Sequence, residues 1–462
     1  MWRYGIVGGL FACILLTPVP AGLTPAAWKL FATYIALISG IILRPQPEPV
    51  VMLVIIAIGS FFVPLGTLLS GFANSTAWLL FTAFLISQAF IETGLGRRLA
   101  YYIIGKVGHS ALGLSYGIAA SDLLLSTATP SNVARTGGVV YPIFRSVSET
   151  LGSTSEASPL RIGAFLTLAA YQISLLTSSM FITACSPNIL IVNFAKNLFN
   201  VEITWMSWMW AALAPGLAAL FLAPLLIYVL YPPELKKIPD AKEMSQKGLD
   251  QCGPMRREEK ILIGLFALAI LGWATGDYTK IDTTVVALLF LAGCFFFRLF
   301  SWDAVVSNKS AWGTFVWYGG MIGISAALAQ AGFFKWTAKV IESNVNLAGY
   351  NSYLVLGILL FVNIGLRYVF ASMGAYVVSI MPVLLILGQV AGAPLMPMLF
   401  IIAFSSSTGG VLTHYGSALG PVLFGTGYVD QKPWWKCGAA CGILLIVIYM
   451  TIGLAYWKLL GY

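Results

Sequence analysis

The stretch 127–138 reads Thr-Ala-Thr-Pro-Ser-Asn-Val-Ala-Arg-Thr-Gly-Gly and interrupts a long apolar run. Hydroxyls, an amide, a proline and two glycines at such a point free the backbone amides of two converging helix ends. Those amides, aided by the positive end of a helix dipole, make a concave anion site. Ser131 and Asn132 add donors for a carboxylate oxygen, and Val133 and Thr136 complete the candidate set here. The plainer alternative is a turn satisfied by its own side chains. A matching stretch, Arg-Tyr-Val-Phe-Ala-Ser-Met-Gly-Ala-Tyr at 367–376, keeps the donor logic in Ser372 and the amide of Gly374. Met373 puts a thioether where an amide would serve, so this second half-site is the weaker one.

Two further interruptions supply the remaining walls. The first is Thr-Ala-Cys-Ser-Pro-Asn at 183–188, where Ser186, Pro187 and Asn188 break an apolar segment. The second is Ser-Ser-Ser-Thr-Gly-Gly-Val-Leu-Thr-His-Tyr-Gly at 405–416, which contributes Thr413, His414 and Tyr415. A histidine in an unwound membrane segment is functional by default. Near a carboxylate, His414 would donate a hydrogen bond or tune protonation; the other histidine, His109, falls in an amphipathic stretch. Arg135 and Arg367 are the charge-compensating candidates. Each either neutralises an anion, takes the place of a bound sodium ion, or anchors a hairpin to backbone carbonyls. Asp122 can pair with either cation, since buried charge is usually paired.

Enzymatic chemistry has little support. HExxH, P-loop and GxGxxG patterns are absent, the GxSxG string at 113–117 sits inside an apolar run rather than at a strand-to-helix turn, and carboxylates are scarce inside the apolar segments. Of 462 residues, 59% are hydrophobic and 9% charged, against about 25% charged in a soluble domain. Lipid is therefore the main solvent. The net charge of +9 reflects lysines and arginines flanking apolar segments rather than a nucleic-acid surface. Six cysteines show neither CxxC nor Cys/His ligand spacing, so no disulfide framework, metal site or cofactor is expected. Trp205, Trp208, Trp210, Trp434 and Trp435 sit at segment ends as interfacial aromatics.

The apolar segments that must position these residues fall at about 5–22, 27–43, 50–69 and 74–93. The first has one basic residue before it, Arg3, and many spans after it, so it reads as a membrane helix rather than a signal peptide. A basic amphipathic stretch follows at 95–108, then 111–146, 160–195 and 206–232. Beyond a polar linker lie 261–275, 281–300 and 311–333, an amphipathic stretch at 334–345, then 349–388, 392–427 and 434–459. Segments 111–146 and 349–388 are too long for one crossing of about 20 residues and are expected to be helical hairpins that enter the membrane and turn back. Segments 160–195 and 392–427 are expected to be broken helices, tolerated only where protein or a water-filled cavity satisfies the backbone.

The halves echo each other. Glu-Thr-Gly-Leu-Gly-Arg-Arg-Leu-Ala at 92–100 resembles Gln-Ala-Gly-Phe-Phe-Lys-Trp-Thr-Ala at 330–338. The polar tip from Ser131 to Pro142 matches one from Ser372 to Pro382 at a similar offset of about 240 residues. The expected organisation is a first repeat at 1–232, a cytoplasmic linker at 233–260 and a second, inverted repeat at 261–462. Inverted repeats with broken helices are the signature of a secondary transporter. About eleven crossings plus two re-entrant hairpins, with the N-terminus cytoplasmic, place about 19 of the 26 basic residues inside, as the positive-inside rule requires. The C-terminus is then periplasmic.

The sequence resembles the divalent anion/sodium symporter family over nearly its whole length. The similar stretches are TPSNVARTGGVVYPI at 129–143, SPNILIV at 186–192, YPPELK at 231–236, SWDAVVSNKSAW at 301–312, LRYVFAS at 366–372 and LTHYGSALGPVLFG at 412–425. Within that family it looks most like bacterial citrate/succinate and tartrate/succinate antiporters and plastid 2-oxoglutarate/malate translocators. The resemblance implies an all-α polytopic membrane protein of the bacterial inner membrane. It also implies a scaffold domain, an elevator-type transport domain and a homodimer exchanging di- or tricarboxylates. The family's Ser-Asn-Thr signature falls on Ser131-Asn132-Val133 and on Ser372-Met373-Gly374. The first copy loses its threonine; the second loses asparagine and threonine. Those losses weaken the case for sodium coupling and favour the exchanger branch, which the Thr-His-Tyr run at 413–415 also resembles. Sodium- or proton-coupled symport stays the alternative, with a carboxylate channel behind it.

Overall fold

The computed structural model describes residues 2–344 and 350–462; the segment limits expected at 345 and 349 lie outside them. Every regular element among the described residues is helical. The first half runs α1 (Trp2–Leu16), α2 (Pro25–Leu43), α3 (Glu48–Gly59), α4 (Leu65–Leu69) and α5 (Ser75–Thr93). An amphipathic α6 (Leu95–Val107) leads to a hairpin whose limbs are α7 (Ala111–Ser126) and α8 (Tyr141–Thr150). A broken helix follows, α9 (Gly163–Met180) then α10 (Ser186–Phe199), and the half closes with α11 (Trp205–Leu230).

The linker is not irregular throughout, because it folds as α12 (Ala241–Cys252). The second half continues with α13 (Arg257–Ala274), α14 (Gly276–Thr279), α15 (Thr283–Phe296), α16 (Trp302–Ser307) and α17 (Lys309–Gln330). Amphipathic α18 (Phe333–Asn344) precedes a hairpin of α19 (Ser352–Leu366) and α20 (Met373–Val390). A broken helix, α21 (Leu395–Thr408) and α22 (Leu419–Phe424), is followed by α23 (Gln431–Ile448) and α24 (Leu454–Leu459). The order of spans, amphipathic helix, hairpin, broken helix and span thus recurs in the two halves.

Among the described residues, seven helices are by length and composition alone able to cross a membrane, against eleven crossings expected. Apolar α1, α3, α7 and α15 are shorter. The expected span 50–69 is one such case: α3 stops at Gly59, and Pro64 precedes α4, because proline lacks the N–H that a continuous helix needs. The second polar tip is also shorter than its composition implied. Helix α20 begins at Met373 and carries Pro382 in its interior.

Local chemistry sets the helix ends. Thr24 accepts from the amide of Ala27, Asn74 from Thr76 and Ser110 from Gly113, each satisfying an orphan N–H. Gly94 sits at φ 75°, a conformation open to glycine, and turns the chain from α5 into α6. Helices α2, α3, α5, α13, α15 and α17 pack largely on one another, and α7, α9, α11, α21 and α23 form a second group. At the centre of the second group, all of α9 is buried. Tyr34 of α2 donates to the Val378 carbonyl of α20 at 2.6 Å, tying the first group to the second hairpin.

Linker residues bind the segments that lead into α7 and α9. The amides of Glu234 and Leu235 donate to the carbonyls of Leu160 and Arg161, and that of Ile238 to His109. Arg98 of α6 pairs with both carboxylate oxygens of Glu259 at 2.9 and 3.1 Å and donates to the Gly253 carbonyl at 2.9 Å. Because Glu259 is buried, Arg98→Gln leaves a carboxylate without its cation, at a cost of about 3 kcal/mol. Thermal unfolding in detergent should show a lower midpoint for Arg98→Gln. Adding Glu259→Gln should recover part of the loss, and a further additive loss would mean that the pair is not coupled.

Candidate functional site

Both hairpin tips and both helix breaks meet around a cavity of ≈ 430 Å³. The first tip brings Ser131, Asn132 and Val133 to its wall, and the break before α10 brings Ser186 and Pro187. From the second tip come Ser372, Met373 and Gly374, and from the second break Tyr415. Nine predicted contact residues, distant in sequence, therefore share one cavity. At the first tip the chain leaves α7 at Ser126 and re-enters helix at Val133 as a π-helical turn, Val133–Val140. Such wide turns recur at functional sites because they leave backbone groups out of the regular ladder.

The donors at the wall differ in how they are used. Ser131 Oγ accepts from the amide of Ala134, and Ser372 Oγ from that of Ala375, both at 3.3 Å. Each serine caps its own tip and keeps its hydroxyl proton for a ligand. Asn132 Nδ2 and Ser417 Oγ are buried at the wall without a hydrogen-bond partner among the described residues. Unpaired buried donors are costly, and an anion in the cavity would satisfy both.

Four predicted residues stand behind the wall. Thr136 Oγ1 donates to Asp122 at 2.6 Å. Asn188 Nδ2 donates to the carbonyls of Ser178 and Phe181 at 2.7 and 2.9 Å, while its Oδ1 accepts from Ser407. Thr413 is buried with no partner for its hydroxyl among the described residues. His414 is absent from the cavity wall; its Nδ1 accepts from Trp435 Nε1 at 3.1 Å and its ring stacks on Phe424. An aromatic cluster thus holds this ring, an arrangement that composition around residue 414 did not reveal.

The two arginines part company. Arg135 is 1% exposed, and its Nε lies 3.0 Å from Asp122 Oδ2. Its remaining donors hold the carbonyls of Thr129 and Ala184 at 2.9 and 3.0 Å and the hydroxyls of Thr177 and Ser178. It is a neutralised anchor between the first tip and the first break. Arg367, equally buried, donates to the Ser372 carbonyl at 3.4 Å and to the Gly416 carbonyl, with its guanidinium carbon 5.0 Å from the Tyr376 ring. No carboxylate pairs with it among the described residues. Its charge stands directly behind Ser372 and Ser417, both cavity residues.

The second break depends on a close approach. A Cβ on Gly416 would lie 2.5 Å from the Gly410 carbonyl, and one on Gly410 would lie 2.9 Å from the Gly416 carbonyl. Tyr171 of α9 lies 2.8 and 3.0 Å from the carbonyls of Gly410 and Thr413, donating to one at a time.

Sequence reasoning missed the opposite wall. Phe84 of α5 and Thr314, Trp317 and Tyr318 of α17 line the cavity, with Arg44 and Glu48 at its rim. Their segments read as ordinary spans, and nothing in their composition places them against the tips. The polar positions of α9, Gln172, Ser174, Thr177 and Ser178, were also overlooked, although four such residues in an apolar span were a visible signal.

Opposite outcomes are expected for the two cations. Arg135→Gln strands Asp122 in the interior and should cost about 3–5 kcal/mol, read as loss of folded, monodisperse protein, with partial recovery in the Asp122→Asn double variant. Arg367→Gln strands no acid. It should yield folded protein whose affinity for a dianion falls about tenfold through the lost Coulomb attraction, measured by ligand-induced thermal stabilisation. Unchanged affinity would remove Arg367 from the site.

The chain matches, over residues 1–462, the family profile described as "Sodium:sulfate symporter transmembrane region". It is 42% identical to the inner membrane protein YbhI of Escherichia coli K12, covering 100% of this chain and 98% of that one. It is 33% identical to the L-tartrate/succinate antiporter of the same strain, covering 98% and 97%. The YdaH transporter of Alcanivorax borkumensis shares the fold with a TM-score of 0.57 at 13% identity, covering 100% of this chain and 98% of that structure. This chain belongs to the divalent anion/sodium symporter family, whose members are membrane transporters and not enzymes.

Proposed function

We propose that this protein is a carrier of the bacterial inner membrane that exchanges one small di- or tricarboxylate for another by alternating access, without sodium. The observation that carries the reading is the cavity where both tips converge with unpaired Asn132 and Ser417 donors and the unpaired Arg367 charge behind them. Two carboxylate groups suit two facing half-sites, and a dianion suits a fixed cation that has no internal partner.

Exchange follows from the energetics of the empty state. An unoccupied site would move an uncompensated charge and bare donors through a low-dielectric interior, which is costly. A loaded site moves them satisfied, so the return journey needs a second anion. In this reading the hairpins and broken helices form the moving body, and the spans around α5 and α17 form the scaffold. The carrier is a homodimer, and its N-terminus is cytoplasmic and its C-terminus periplasmic. Support comes from the relative named as an L-tartrate/succinate antiporter, from the inner-membrane relative, and from Met373 and Val133 at positions where the family signature has polar residues.

The deciding measurement is uptake of labelled succinate into proteoliposomes, preloaded or empty, with and without sodium. Uptake confined to preloaded vesicles and indifferent to sodium is expected. Sodium-dependent uptake into empty vesicles would replace exchange by symport. Persistent uptake that does not saturate would mean a channel.

A further inference from the structure

A second cavity of ≈ 430 Å³ lies away from the carboxylate site, between α5, α6 and the return limb of the first hairpin. Its wall is mixed: an apolar part, where Phe90 and Ile91 of α5 and Val139, Pro142 and Ile143 of the hairpin line it, and a polar part with Tyr101 and Ser146. One cation, Arg97, stands at its edge. The guanidinium lies 5.8 Å from the Tyr101 ring and donates to Gln251 Oε1 at 3.2 Å. No carboxylate pairs with it among the described residues; nearby Glu92 accepts from Gln88, and Glu259 is held by Arg98.

The groove's setting identifies its occupant. Helix α6 is amphipathic, with Leu95, Ala100, Tyr101 and Ile104 buried and Arg97, Tyr102 and Lys106 exposed. That apolar face is covered by α7 and α12, with Gly248 of α12 against the Tyr101 ring, so the basic face of α6 is the one left open. Basic pockets between membrane helices on the face rich in lysine and arginine hold anionic headgroups. The carboxylate substrates have no apolar portion for such walls. We propose that the groove binds one anionic phospholipid, its phosphate on Arg97 and an acyl chain between α5 and the hairpin.

Gly138 provides the means of testing this. It is exposed in the groove, and a Cβ there would meet only the Val133 carbonyl, at 3.8 Å. Gly138→Leu therefore starts a side chain in the groove from a Cβ that meets no protein atom closer than 3.8 Å. Full-length protein would be delipidated, supplied with phosphatidylglycerol or phosphatidylcholine, and weighed by native mass spectrometry. One phosphatidylglycerol should be retained about tenfold more strongly than phosphatidylcholine. Arg97→Gln should abolish that preference, Gly138→Leu should abolish retention, and Lys106→Gln should change neither. Equal retention of the two lipids, or indifference to Arg97→Gln, overturns the proposal. So does loss of the dimer in Gly138→Leu with no lipid on the wild type, which would make the groove a protein seam. Because lipid retention is read without transport, it stands or falls independently of the exchange reading.

Discussion

Backbone groups unwound at membrane depth must be satisfied by protein or by a water-filled cavity, since lipid offers no partner. The two helix breaks and two tips impose that demand four times over. Arg135 and Asn188 answer it for the first half, donating to the carbonyls of Thr129, Ala184, Ser178 and Phe181. Tyr171, Gln172 and Arg367 answer it for the second, reaching the carbonyls of Gly410, Val411 and Gly416. Most of the buried polar side chains around the cavity serve this requirement. Asn132 Nδ2, Thr413 Oγ1 and Ser417 Oγ are left without such a partner among the described residues.

Satisfying the backbone also explains why two matched halves are not equivalent. In the first, the anchoring arginine is neutralised by Asp122, whose oxygens also accept from Thr136 and Thr177. That network is closed, and a closed ionic network contributes fixity rather than affinity. In the second, the anchor Arg367 has no acid paired with it among the described residues and holds the Ser372 and Gly416 carbonyls instead. Met373, facing Cys185 at 3.5 Å between sulfurs, adds packing where the other tip has an amide. One half is therefore built to hold shape and the other to hold charge.

The break in each repeat is held from the other repeat as well as from its own. Tyr171 and Gln172 of the first bind carbonyls of the second break, and Ser407 of the second donates to Asn188 of the first at 2.9 Å. The tips and breaks are thereby one mechanical unit. Polar contacts also join α2 and α5 to that unit, among them Tyr34 to Val378 and Asn193 to Thr76.

Element types were legible in the sequence because lipid makes composition decisive. Apolar runs marked the spans, and polar interruptions such as 127–138 and 405–416 marked the tips and breaks, since no other reason places such residues in hydrocarbon. The spacing of the two echoing halves gave the order of elements. Tertiary structure alone decided which polar residue faces the cavity and which faces the backbone. Thr136, Asn188 and His414 have the right chemistry for an anion but are spent on Asp122, on carbonyls and on Trp435. Phe84, Trp317 and Tyr318 have no distinguishing chemistry, yet they form the opposite wall. Periodicity and composition describe a residue's solvent, whereas its partner depends on how helices far apart in the chain are brought together.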